Sequence, residues 1–149
     1  MEGFDDEDLR TAVRNMPTGV SKVSMSGDFL TANHAFENLT GYAVSELRKL
    51  KLSELLPPED RTTLAALMGE ISRGTRTYFT LATSFCRKNN GVVFASVHAM
   101  AGLDMETGMT HIIVTADHGE LFGEAGYFGH GPIMHEKCFE VPYLEGKIR

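Results

Sequence analysis

The chain is short of three things, and each shortage excludes a class of protein. No apolar run in its 149 residues approaches the roughly 20 that a membrane-spanning helix needs. Cysteine is scarce: Cys86 and Cys138 are too few for a disulfide framework. Two reduced thiols in a cytoplasmic protein are the expectation. Positive charge is also in deficit, 14 Lys and Arg against 20 Asp and Glu for a net charge of -6. That balance argues against a nucleic-acid partner. The opening residues, Met1-Glu2-Gly3-Phe4-Asp5-Asp6-Glu7-Asp8, are acidic and lack a signal-peptide core. What remains is ordinary for a globular protein: 42% hydrophobic and 23% charged residues, in a length that suits one domain with or without an appendage.

Residues 5 to 16 read as an amphipathic helix. Leu9, Ala12, Val13 and Met16 fall at helical spacing, Asp5 to Asp8 favour its N-terminal end, and Pro17 ends it. Residues 19 to 24 and 29 to 32 read as strands joined by a Gly27-Asp28 turn. Asn33 can then cap a short helix in which Phe36 and Leu39 share a face, and Gly41 can end it in the left-handed conformation. Apolar residues from Leu47 to Leu56 continue the helical middle until Pro57-Pro58. A longer helix opens at Glu59-Asp60, presents Leu64, Leu67, Met68 and Ile71 on one face, and stops at Gly74.

The second half turns to period two. Phe79, Leu81, Thr83 and Phe85 alternate with Tyr78, Thr80, Ala82 and Ser84, as in a half-buried antiparallel strand. Asn89-Asn90-Gly91 signals a hairpin, residues 92 to 100 the next strand, and residues 109 to 115 a last strand after a turn. Two strands, a few short helices and three strands predict an α+β fold: one antiparallel sheet with helices on one face.

The central stretch, Gly27-Asp28-Phe29-Leu30-Thr31-Ala32-Asn33-His34-Ala35-Phe36 followed by Leu39-Thr40-Gly41-Tyr42, resembles the signature of PAS sensory domains. Ser45-Glu46-Leu47, Pro58-Glu59-Asp60-Arg61 and Asn89-Asn90-Gly91 extend the resemblance in order. It covers roughly residues 13 to 116, and gives the organisation 1–16 flanking helix, 17–116 PAS domain and 117–149 irregular tail. It implies a five-stranded sheet of order 2-1-5-4-3 and a role in sensing or protein interaction rather than catalysis. In that family the flanking helix packs on the outer sheet face and often pairs with a second copy. A homodimer through residues 5 to 16 is therefore expected. The plainer alternative is a helix that covers its own domain. The output domain or partner is not identified.

The family holds haem, flavin or metabolites between helices and sheet. Haem-binding members place a His on the helix that carries Leu64 to Ile71; here Thr63 stands at that site. Flavin photoreceptors place a Cys where this chain has Leu50-Lys51-Leu52-Ser53. Haem and covalent flavin are thus disfavoured, and the cofactor stays open. A ligand pocket would be walled by Phe36, Leu39, Met68, Ile71, Phe79, Phe85 and Val97, which equally suit a plain core. Alternation turns His98 outward, the other reading being a polar handle for a ligand.

The tail is different. Asp117-His118-Gly119-Glu120 after a strand, with Gly129-His130-Gly131 and Val141-Pro142, resembles the metal-site segment of sulfatases in the alkaline phosphatase superfamily. Asp117 and His118 would match metal ligands, and both donor types suit a divalent cation. Yet Cys86 and Cys138 lack the Cys-x-Pro-x-Arg context of a sulfatase nucleophile, and the chain is too short for such a core. Exposed loop histidines are the plain alternative. A non-enzymatic signal-transduction module is the primary reading, and a metal-dependent hydrolase or a fragment of one is the rival.

Overall fold

The computed structural model describes residues 3–103, 106–117, 121–122 and 128–129. Helix α1 spans Asp6–Asn15 and begins in a capping box: Asp5 Oδ1 accepts from Asp8 N–H at 2.8 Å, and Asp8 Oδ2 accepts from Asp5 N–H at 3.2 Å. None of its residues is buried. Leu9 and Val13 are 50% and 40% exposed, so the apolar stripe predicted from spacing exists but is not buried. The helix meets α2 instead of lying buried on the outer sheet face, as the family resemblance implied.

Strands β1 (Gly19–Val23) and β2 (Phe29–Ala32) form an antiparallel pair. Helix α2 (His34–Thr40) follows at once, capped by Asn33 and closed by Gly41 at φ +79°. Two single-turn helices, α3 (Val44–Leu47) and α4 (Leu52–Leu55), bury Leu47, Leu52 and Leu55. A glutamate begins each: Glu46 Oε2 accepts from Ala43 N–H at 2.9 Å, and Glu54 Oε2 from Lys51 N–H at 2.6 Å. Helix α5 (Pro58–Ser72) has Pro58 at its first position, where a missing N–H costs nothing, and buries Leu64, Met68 and Ile71. Leu67 is only partly buried, at the edge of the stripe.

Strands β3 (Tyr78–Cys86), β4 (Val92–Leu103) and β5 (Thr110–Asp117) complete the sheet. Its order is β2-β1-β5-β4-β3, all neighbours antiparallel. β4 and β5 run past the predicted ends because Leu103 pairs with Thr110 and Ser96 with Asp117. That pairing is tertiary and leaves no mark in local hydropathy. Central β5 buries Ile112, Val114 and Ala116 on the helix side, while His111, Ile113 and Thr115 are half-buried. One apolar core fills the space between the inner sheet face and the helices. On the outer face Tyr78 and Met100 sit opposite each other, both exposed.

Within the tail, which was expected to be irregular, β6 (Leu121–Phe122) and β7 (Phe128–Gly129) pair as a short ribbon. Among the described residues no helix is long and apolar enough to cross a membrane.

Candidate functional site

The site is built around Asn33. It is 6% exposed, and its side chain makes four hydrogen bonds. Oδ1 accepts from Val20 N–H at 2.9 Å in β1 and from Phe36 N–H at 3.0 Å in α2. Nδ2 donates to the carbonyls of Val13 at 2.8 Å and Thr18 at 3.0 Å. One amide thus joins the end of α1, the start of β1 and the first turn of α2, using the full donor and acceptor capacity of the group. The sequence showed only the cap. The other three bonds need chain segments that sequence spacing does not bring together.

The opposite end of α2 is held by the β3–β4 turn. Lys88 N–H donates to the Thr40 carbonyl at 3.0 Å, and Arg87 Nη2 to the Asn38 carbonyl at 3.1 Å. These groups satisfy carbonyls that a helix end leaves open. The Asn-Asn-Gly signal located the turn, but not what its flanking cations reach. Two ion pairs brace the periphery: Lys51 Nζ with Asp28 at 2.9 Å, and Lys88 with Glu46. Lys51, then Ser26, holds the Asp28 carboxyl below its ordinary value, and Lys88, then the Ala43 N–H, does the same for Glu46. Thr83 Oγ1, buried on β3, donates to Asp60 Oδ2 and ties α5 to the sheet.

Phe36, Met68, Ile71, Phe79, Phe85 and Val97 all lie in the buried core, and Leu39 packs against it. Phe36 lies between Phe29 and Phe85, with ring centroids 5.7 and 6.1 Å away and tilted planes. A cavity of about 620 Å³ opens elsewhere, between the end of α1, α2 and the β1–β5 edge. Of the seven predicted wall residues Leu39 alone lines it, joined by Arg14, His34 and Asn38 among others. Gly19 shapes the same corner: a Cβ there would stand 3.1 Å from Phe36 Cα.

His98 projects outward and is exposed, with Thr80 Oγ1 3.3 Å from its Nδ1 and Ser96 Oγ 3.4 Å from its Nε2. Asp117 ends β5; His118, the second metal ligand suggested by the sulfatase resemblance, lies outside the described residues, as does Cys138. No cluster of three or more His, Cys, Asp or Glu able to hold a metal exists among the described residues.

Comparison with known proteins places this geometry. The family model described as the PAS fold matches residues 7–117. The sensor histidine kinase TmoS of Ectopseudomonas mendocina is 24% identical over 87 residues, 58% of this chain. The chain spans only 9% of the length of that relative. A domain of a sensory box sensor histidine kinase/response regulator from Geobacter sulfurreducens superimposes with a TM-score of 0.62 at 19% identity, over 74% of this chain and 90% of that one. The PAS domain of a protein from Colwellia psychrerythraea does so with a TM-score of 0.65 at 12% identity, over 74% and 93%. At these identities the structures speak to the fold alone. The sulfatase-like reading of the tail gains no support from these matches, and the family match stops where that tail begins. The chain belongs to the PAS fold family.

Proposed function

We propose that this module senses by binding a small ligand or a protein partner, and that it works as a non-catalytic homodimer in the cytoplasm. The observation that carries the reading is the attachment of α1. The helix presents an exposed apolar stripe, and the Asn33 amide couples its last turn directly to β1 and α2. A second copy covering Leu9, Val13 and Met16 would bury surface that is otherwise left in water. A ligand among Phe36, Leu39, Met68, Ile71, Phe79, Phe85 and Val97 would bear on α2, and through Asn33 on α1. Biasing two arrangements of that helix is then the signal, passed to an output domain or partner still to be identified.

The residues present suit neither haem nor a covalent flavin. Thr63 is exposed on α5 and offers no axial nitrogen, and residues 50 to 53 offer no thiol. Val13→Glu tests the dimer. The carbonyl that Asn33 holds is kept, while a charge enters the stripe. Light scattering should find monomers for the variant and dimers for the parent chain; an unchanged dimer would overturn the interface. Native mass spectrometry of the parent chain tests the ligand, because a bound organic molecule adds mass that denaturation removes.

A further inference from the structure

We propose that the groove beside α2 is a separate binding site for a small organic carboxylate, with Arg14 as its anion anchor. Its volume of about 620 Å³ falls in the range of small-molecule sites. Its floor is apolar, from Leu39, Ala35 and the buried Ala116. Its rim is polar, and two of its side chains, Arg14 and Asn38, are uncommitted. Arg14 makes no ion pair, and neither its guanidinium nor the side-chain amide of Asn38 makes a hydrogen bond among the described residues. Glu37, the carboxylate of α2, does not line the groove and is already occupied: Oε2 accepts from Val44 N–H at 2.9 Å, and Oε1 lies 3.6 Å from His34 Nδ1.

A guanidinium presents paired N–H donors that match a carboxylate. One cation flanked by neutral amides compensates a single negative charge. A dianionic phosphate would carry excess charge into a chain whose net charge is already -6. The apolar floor calls for a short hydrocarbon body on the same molecule. This site is distinct from the interior walls named above, with Leu39 the shared residue. A ligand here would touch Arg14 of α1 and His34 of α2 together, across the joint that Asn33 fastens.

The test is an amide-resolved NMR titration of the full chain with hexanoate, 1-hexanol and hexyl phosphate. The expected result is saturable shifts at Gly19, Ala35, Asn38 and Leu39 with hexanoate, and binding of 1-hexanol about tenfold weaker or less. Arg14→Gln, a change at an exposed position, should weaken hexanoate about tenfold, the loss of one charge-assisted pair. The proposal is overturned by any of four results: no saturable shift, equal binding of 1-hexanol, tighter binding of hexyl phosphate, or an unchanged Arg14→Gln. Shifts confined to Phe36, Phe79 and Val97 would also overturn it while upholding the interior ligand reading. Groove binding by a monomeric chain would sink the dimer and leave this site standing.

Discussion

The Nδ2 group of Asn33 donates to the carbonyl of Val13 at 2.8 Å, across 20 residues of chain. That bond, with the contact between α1 and α2, ties a surface helix with no buried residue to the domain. It also gives the region its least replaceable side chain. Leucine could fill the space but would take this partner from the Val20 and Phe36 N–H groups and from the Thr18 carbonyl, and would leave the Val13 carbonyl with only the long Met16 N–H contact at 3.4 Å.

Asn33→Leu is therefore expected to destabilise the domain by about 2–4 kcal/mol, from a lost cap and buried groups left unpaired. Asn33→Asp keeps the acceptor for Val20 and Phe36 but turns carboxylate oxygen toward the Val13 and Thr18 carbonyls. It should retain the α2 cap and release α1. Urea unfolding measures the first effect, and hydrogen exchange at residues 9 to 16 the second. Unchanged exchange in both variants would mean that α1 is held by something else.

Gly19→Ala puts a methyl 3.1 Å from Phe36 Cα and 3.2 Å from its Cδ2. The first contact is with backbone, so α2 must move by a few tenths of an ångström. A cost of about 1–3 kcal/mol is expected from overpacking. The reason is the close approach of strand and helix, since Gly19 does not sit at positive φ. The midpoint of urea unfolding reads the cost directly, and an unaltered midpoint would show that α2 yields freely.

Asp28 and Glu46 have carboxyl groups held below their ordinary values of 3.8 and 4.5 by Lys51 and Lys88. A carboxyl lowered in the folded state contributes stability above its unfolded value and loses it as pH falls through the folded value. Stability from these pairs should therefore be full at neutral pH and begin to fade as pH drops toward 4.5. Both pairs are solvent-exposed, so the effect is small and weakens with salt. Lys51→Met with Lys88→Met should raise both carboxyl titrations, read by NMR, and flatten the acid limb of the stability curve. Titrations that do not move would remove the lysines as the cause.

Much of the fold is legible in the sequence. Phe79, Thr83 and Phe85 are buried between more exposed neighbours, and that period of two told which side of β3 faces the core. The same alternation turned His98 outward and Val97 inward. Gly41 and Asn33 marked the ends of α2 because capping is local chemistry. The lengths of β4 and β5 were not legible, since a strand continues as long as its partner does. The resting place of α1 was not legible either, because an amphipathic stripe says that a face prefers cover but not which surface supplies it.

The candidate site divides along the same line. Sequence alone determined that Phe36, Met68, Ile71, Phe79, Phe85 and Val97 are interior, since hydropathy and period decide burial within each element. Tertiary structure decided that Phe36 lies between Phe29 and Phe85, that Asn33 binds four backbone groups, and that a groove opens on the far side of α2. Those three results depend largely on contacts between distant segments, from Val20 and Asn33, 13 residues apart, to Arg14 and Ala116 at opposite ends of the domain. No local pattern encodes them, because hydrogen-bond capacity and ring surface are properties of a residue, whereas the partner that uses them is a property of the packed chain.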